Sequence, residues 1–418
     1  MGSIPFTAMT RVAIIADTYL PGRCNVSDYT AHLSENLREY CIESVVLTTY
    51  YAAEAAYDPN ATGVVHGWRL ADLFALVQAV RASRAEILHI QYSAQSYGFD
   101  RAILLLPLLL RMAGWRSPIV TTVHEYGCWE WQPQKIPSQL VEWLKLQGQH
   151  CNWWDREGGF LLTRSDAVIT TKAETKIVID KRLPKLKNRV FHIPISSNVE
   201  VAPIDCTKAR QLLRQNCNWY EDSLVIAFFG FVHPGKGLET LLAAFKQISA
   251  IQPRARLLIL GGFESLALSG EDAKKYLVQL QTFVSEKSLS QLVHFTGDLS
   301  AQTVSHYLTG ADIGVLPCDR ALSLNSSSLL SLLAHGLPVV ATHTQTSLPV
   351  GHSVQLVPDG DITALASELL QLLNNPEQRV QLGTGRVVFP NITWQSIAKA
   401  HLDVYNYLAN KPLPMPNL

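Results

Sequence analysis

Short β-type apolar runs alternate with longer amphipathic stretches along nearly the whole chain, and no other feature so narrows what it can fold into. The first series is RVAIIAD (11–17), SVVLTT (44–49), ILHIQY (87–92), PIVTTVHE (118–125), AVITT (167–171) and VFHIPI (190–195). The second is LVIAFFGF, RLLILGG, VHFTGD, IGVLPC, PVVAT and VQLVP, all beyond residue 200. This alternation predicts a parallel α/β architecture. Two six-strand series of similar size predict two Rossmann-like domains facing each other across a cleft. The pattern is too coarse for a solenoid repeat, and 418 residues exceed one typical core. The polar, proline-bounded segment Ser196 to Pro203 is the expected hinge, which gives domains at 1–199 and 200–390. Residues 391–418 carry apolar positions at helical spacing and then a proline-rich tail. They are expected to form a closing helix packed back on the first domain, with a frayed end.

Composition excludes several classes. Hydrophobic residues make up 47% and charged residues 17%, as in a well-packed globular protein. Thirty-five basic residues balance 35 acidic ones, so no net charge draws the chain to nucleic acid. Seven scattered cysteines without a CxxC read as reduced thiols. MGSIPFTAMT lacks the features of a signal peptide. The richest apolar run, Ile103 to Leu110, contains Pro107 and is too short to span a bilayer. A soluble, cytoplasmic protein without a transmembrane segment is expected; the oligomeric state is not legible.

The stretch Leu224 to Leu242, LVIAFFGFVHPGKGLETLL, concentrates the chemistry. A β-type run ends in Gly230, a Pro-Gly turn offers Lys236, and an amphipathic helix opens after Gly237. Helix starts collect unpaired N–H groups at the positive end of the dipole, and a lysine beside one adds a full charge. At the carboxyl end of a parallel strand this suits a diphosphate. GxxxxGK[ST] and GxGxxG are both absent. A solvated lysine at an ordinary turn is the structural alternative. Gly261 and Gly262 end the next strand, either as a tight turn or where a ligand approaches backbone.

Asn325, Ser326, Ser327 and Ser328 form a second helix start, with Leu329, Leu330, Leu332 and Leu333 as its apolar face and Gly336 and Pro338 at its end. Simple capping or phosphate binding both fit. In the first half, His124 closes a strand at the end where ligands bind, and its neutral ring suits a sugar hydroxyl. His89 and Gln91 lie inside a strand and read as core or supporting residues. The loop Pro21 to Asp28 precedes a helix, with Asn25, Ser27 and Asp28 as cap candidates. Five tryptophans fall between 126 and 160. Core packing or a helical insertion is the reading preferred for them over a sugar-binding wall. KRLPKLKNR (181–189) reads as a solvated loop.

Taken together, these motifs resemble the retaining GT-B glycosyltransferases of glycosyltransferase family four. FFGFVHPGKGLETLLAAF looks like the family's glycine-then-lysine donor motif. HFTGDLSAQTVSHYLTGADIGVLPC resembles the stretch that passes the nucleotide base. SLLSLLAHGLPVVAT is similar to the helix and turn after the Glu-x7-Glu motif, and HIQYSAQSYG, TTVHEYG, RSDAVITT and HIPISSNV have counterparts too. The resemblance runs from about residue 11 to about residue 405 and rests on the order and spacing of several motifs.

The resemblance implies sugar transfer from a nucleotide diphosphate donor with retained configuration, no metal and no permanently bound cofactor. The acceptor is a small molecule or glycan. The first domain becomes the acceptor side, with Cys24, Asn25, Asp28, Tyr92, Glu125 and Tyr126. The second becomes the donor side, with Gly230, Lys236, Gly237, Gly261, Gly262, Gly297, Asp298, Leu299 and Asn325 to Ser328. Lys236 would hold the diphosphate and His124 would touch the donor sugar; these two are the catalytic candidates. The chain departs from the pattern at Ser323 and Ser331, where the motif carboxylates fall by register. It departs again at Phe231, where a basic residue is usual, and at Cys24, Asn25 and Ser196, where glycines are. Two alternatives follow from these departures. One is a catalytically silent relative that binds a ligand or partner. The other is non-transfer chemistry on a nucleotide sugar, with Glu125, Asp17 and Asp28 as candidate acid/base groups.

Overall fold

The computed structural model describes residues 10–19, 24–93, 97, 102–126, 137–264, 268–318, 326–343, 354–383 and 392–409. The chain forms two compact units, Met1–Ile195 with Ile392–Leu418, and Ser196–Asn391. Among the described residues, no helix is long and apolar enough to cross a membrane.

The first unit is built on a parallel sheet of β1 (Thr10–Ile15), β2 (Ile42–Thr49), β3 (Ala61–Val65), β4 (Ile87–Tyr92), β5 (Ile119–Val123), β6 (Ala167–Thr170) and β7 (Val190–His192). Their order is β3-β2-β1-β4-β5-β6-β7. Ile14 pairs with Val46 on one side and His89 on the other. Helices cover the sheet, so β4 and β5 are buried along their whole length. That explains why they read as nearly continuous apolar runs. The helix Trp394–Ala409 packs in this unit, with Trp394, Ile397, Val404, Tyr405 and Leu408 in its core.

The second unit carries β8 (Leu224–Phe229), β9 (Ala255–Leu260), β10 (Val293–Phe295), β11 (Ile313–Leu316), β12 (Val339–His343) and β13 (Val354–Pro358). The order is β10-β9-β8-β11-β12-β13. The helix Leu238–Ile251 buries Leu238, Leu241, Leu242, Phe245 and Ile248, the spacing of one helical face. Beneath the sheet's amino ends, Asp312 accepts from Arg214, Arg210 and the backbone N–H of Val225. A carboxylate at that depth persists because all these donors converge on it.

In both sheets the strand order reverses once, between β1 and β4 and between β8 and β11. Ligands of doubly wound sheets bind outside the carboxyl ends at such switch points.

Three sequence expectations need correction. Residues 181–189, expected as a solvated loop, end the helix Ala173–Arg182 and form a short helical turn over Pro184–Arg189, with Leu183 and Leu186 buried. The first sheet has seven strands because Ala61–Val65 joins its edge. Its glycine breaks the apolar pattern of a strand, yet that glycine is needed: a Cβ on Gly63 would stand 2.7 Å from Tyr50 Cα. Several strands also end before their apolar runs do; PIVTTVHE yields a strand only over Ile119–Val123. The residues beyond are where the chain turns off the sheet.

Candidate functional site

Three glycines line the carboxyl edge of the second sheet on adjacent strands. Gly230 follows β8 at φ +142°, Gly261 follows β9 at φ +141°, and Gly297 lies beyond β10 at φ +64°. Residues with a Cβ rarely adopt these conformations. The strand ends are also tied together: Gly230 N–H donates to Leu260 O at 3.0 Å and Val232 N–H to Gly262 O at 2.9 Å. Gly261 and Gly297 form an isolated bridge. A Cβ on Gly261 would fall 2.1 Å from Gly230 O, and one on Gly262 would fall 2.1 Å from Asp298 Oδ1. Asp298 and Leu299 are exposed at the end of this row.

The second helix start closes on the same edge. A Cβ on Gly230 would lie 2.8 Å from Ser328 Oγ, so Ser328 sits directly against the first glycine. Ser326 caps the helix Ser327–Ala334, its Oγ accepting from Leu329 N–H at 3.3 Å. Ser327 is buried. The three serines thus divide their work, and Ser328 is the hydroxyl beside Gly230. Asn325 and Ser323 lie outside the described residues.

Gly237, at φ +67°, is the cap of the helix Leu238–Ile251. Having no side chain, it leaves the first-turn N–H groups uncapped by its own atoms. Lys236 just before it is half-buried, and its N–H bonds to His233 O at 3.2 Å. A helix start and a hydroxyl thus meet at one switch-point edge, with Lys236 on the loop that follows its first glycine, a combination suited to an oxyanion such as phosphate.

Ser331 is fully buried and hydrogen-bonded to Ser197 at 2.8 Å. Ser197 Oγ itself donates to Val199 O at 2.6 Å, so Ser331 is the donor of the pair. His335 Nδ1 donates to Ser331 O at 2.7 Å, and its Nε2 pairs with Ser305 Oγ at 2.8 Å. Ser305 in turn accepts from Ala202 N–H at 2.8 Å. The position that corresponds by register to a motif carboxylate is thus part of a closed polar cluster.

In the first unit, Cys24 is the N-cap of the helix Asn25–Leu37, with Sγ accepting from Ser27 N–H at 3.3 Å. This corrects the expectation of Asn25, Ser27 or Asp28 as the cap. Burial first, and then the charge of Asp17, raise the Cys24 thiol's pKa. Tyr29 of the same helix meets His124 edge-on at 4.8 Å between centroids. His124 N–H donates to Tyr92 O at 2.9 Å, and Ser93 Oγ donates to Glu125 Oε2 at 2.8 Å. Cys24, Asn25, Asp28, Tyr92, His124 and Glu125 are thereby gathered at the first sheet's switch-point end. Tyr126 instead donates to Asp155 Oδ1 at 2.9 Å and lies under the Arg182 guanidinium.

His124 Nε2 donates to the side-chain oxygen of Gln91 at 2.8 Å. Burial, with smaller contributions from His401 and Lys172, pushes its pKa down to about 3. A neutral ring that spends Nε2–H on Gln91 presents Nδ1 as an acceptor. Behind it, His89 Nδ1 pairs with Tyr405 at 2.7 Å and His89 Nε2 with Thr122 at 2.8 Å, both in the core. His89 and Gln91 read from the sequence as core or supporting residues, and Gln91 supports His124 directly. The usable signal was their spacing of two, which puts both on one face of β4.

Trp143, 56% exposed, lies on the helix Ser138–His150, in line with a helical insertion, and Trp153 is 65% exposed, so core packing accounts for neither. Trp129 and Trp131 lie outside the described residues.

The chain is 28% identical over 210 residues to the GDP-mannose-dependent monoacylated alpha-(1-6)-phosphatidylinositol monomannoside mannosyltransferase of Corynebacterium glutamicum, covering 49% of this chain and 52% of that protein. It is 27% identical over 256 residues to the D-inositol 3-phosphate glycosyltransferase of Stackebrandtia nassauensis, covering 59% and 55%. It thus spans about half the length of these curated relatives. Sucrose-phosphate synthase from Thermosynechococcus elongatus superposes with a TM-score of 0.67 at 20% identity, over 96% of this chain and 99% of that one. That full-length likeness shows the GT-B fold. Residues 223–375 match the family described as Glycosyl transferases group 1, and they contain the whole glycine-and-serine edge with Lys236.

Proposed function

We propose that the chain transfers a sugar from a nucleotide diphosphate donor to a small-molecule or glycan acceptor, with retention of configuration and without a metal ion. The observation that carries this reading is the row Gly230, Gly261 and Gly297 with Ser328 closed against it, inside the residues that match the group 1 family. Missing side chains let a diphosphate approach the backbone closely. The starts of the helices Leu238–Ile251 and Ser327–Ala334 add dipole, and Lys236 adds charge. A nucleotide sugar fits the name of the Corynebacterium relative, which is GDP-mannose-dependent. In this reading His124 accepts a hydroxyl of the transferred sugar at Nδ1. The leaving phosphate takes the acceptor proton on the face it departs from, so no protein base is required. Cys24, Asn25, Asp28, Tyr92, Glu125 and Tyr126 belong to the acceptor side.

The test is a thermal-shift screen against nucleoside diphosphates and their sugars, repeated with Lys236→Ala. A ligand at a hundredfold excess over its Kd stabilises by about 2.7 kcal/mol, a shift of several degrees. The expected result is a shift with at least one nucleotide that Lys236→Ala abolishes. A screen in which no nucleotide moves Tm overturns the proposal.

A further inference from the structure

The first unit contains a cavity of about 360 Å³ that the donor edge does not use. Leu70, Ala102, Leu104, Leu105, Trp154 and Phe160 supply its apolar walls. The Trp154 and Phe160 rings meet edge-on, 5.8 Å between centroids. Leu70 is 54% exposed, so the cavity opens to solvent past an apolar side chain. Its size falls within the range of small-molecule pockets, roughly 300–1,000 Å³.

Four charged residues also touch the cavity, and their charges are spent on protein partners. Lys145 Nζ pairs with Glu142 at 2.7 Å, and Arg156 with Glu142 at 3.2 Å. Glu157 lies 3.7 Å from Arg156 and 3.6 Å from Arg182. Asp155 accepts from Tyr126 O–H and from the backbone N–H groups of Gly158 and Glu157. Even the Trp154 indole N–H donates to a backbone oxygen, that of Lys145. An occupant therefore meets apolar surface, and a charged one would have to break existing pairs.

We infer that this cavity binds an uncharged alkyl or aryl aglycone. Asp155 ties its wall to Tyr126, a residue that the proposed reaction assigns to the acceptor side. The aglycone would then be the apolar end of the acceptor, a clause that rests on the proposed transfer reaction; the binding itself does not.

The probe is N-phenyl-1-naphthylamine, an uncharged fluorophore that brightens in apolar sites, competed with n-octyl β-D-glucoside below its micelle concentration. Saturable enhancement that the glucoside displaces is expected. Leu105→Trp fills the cavity and should weaken binding about tenfold, the equivalent of about two lost methylene contacts. Leu70→Asp changes an exposed side chain at the mouth, so the fold is spared, and it should weaken binding several-fold. Leu140→Asp, exposed and outside the cavity, should leave binding unchanged. Absence of saturable enhancement, or equal binding by Leu70→Asp and Leu140→Asp, overturns the inference. No nucleotide is present in these titrations. Probe binding without any nucleotide shift would leave the cavity standing and remove the transferase reading. A Lys236-dependent nucleotide shift without probe binding would do the reverse.

Discussion

Gly230 and Ser328 lie so close that a Cβ on the glycine would reach within 2.8 Å of the serine Oγ. The glycine ends β8 and the serine opens the helix that follows β11, the two strands that flank the switch point. Their contact joins two parts of the switch-point edge that lie far apart along the sequence.

Gly230→Ala should therefore fail for two reasons, the contact and the backbone. Holding alanine at φ +142° costs about 1–3 kcal/mol. Tm should fall accordingly, and any nucleotide-induced shift should shrink. Adding Ser328→Ala relieves the contact and leaves the strain, so a double-mutant cycle should show coupling of at least about 0.5 kcal/mol. Strict additivity would contradict the contact.

Placing a glutamate at Ser331, where the family motif has a carboxylate by register, should not improve the protein. Ser331 is fully buried among Ser197, His335 and the helix core. Ser331→Glu puts a carboxylate into the fully buried interior of this helix, and should cost more than about 3 kcal/mol by the standards of unpaired buried charge. Ser331→Ala, losing one hydrogen bond, should cost about 1 kcal/mol. Urea unfolding of both variants decides the matter; a Ser331→Glu protein as stable as the native one would show that this helix opens readily.

The buried histidines predict an acid-sensitive first unit. Burial lowers His401 to about 4 and His124 to about 3, and holds His89 well below its ordinary value. Unfolded histidine titrates near 6.5, so below that pH the unfolded chain binds more protons and stability falls. The loss begins as pH drops through about 6.5 and continues to the folded values. At pH 5 it is about 2 kcal/mol for a buried histidine such as His401. Melting curves between pH 7 and pH 5 should show His401→Gln less pH-dependent than the native chain, though less stable at pH 7. A His401→Gln profile parallel to the native one would argue against this assignment.

Asp312→Ala should be among the more damaging single changes in the second unit. Arg214 is 1% exposed and would keep a buried guanidinium without its carboxylate. Breaking such a pair costs about 3–5 kcal/mol. The exposed pair Lys399–Asp403 offers the contrast, since Asp403→Ala should cost less than about 1 kcal/mol. Chemical denaturation of the two variants side by side tests the ranking.

Much of the candidate site was legible one element at a time. The run from Leu224 to Leu242 announces strand, glycine, lysine and helix because each has a local cause: apolar continuity, a positive-φ turn and amphipathic spacing. The cap at Ser326 was readable for the same reason. The edge strand Ala61–Val65 was not, because its pairing with β2 supplies what its short glycine-containing pattern lacks. Nor did sequence show that Gln91 holds His124 or that Ser197 holds Ser331, since each pair joins segments whose separation along the chain carries no local signal.

By itself the sequence determined the alternation of strands and helices, their approximate ends, and which glycines and caps stand at their turns. Those properties follow from periodicity, turn chemistry and capping, which act within a few residues. Only the tertiary structure decided the strand order, and with it the reversal that puts the ends of β8 and β11 side by side. That order depends on burying both faces of each sheet at once. It is what turns Gly230, Gly261 and Ser328 from three separate motifs into one edge, and what withdraws Ser331 from it.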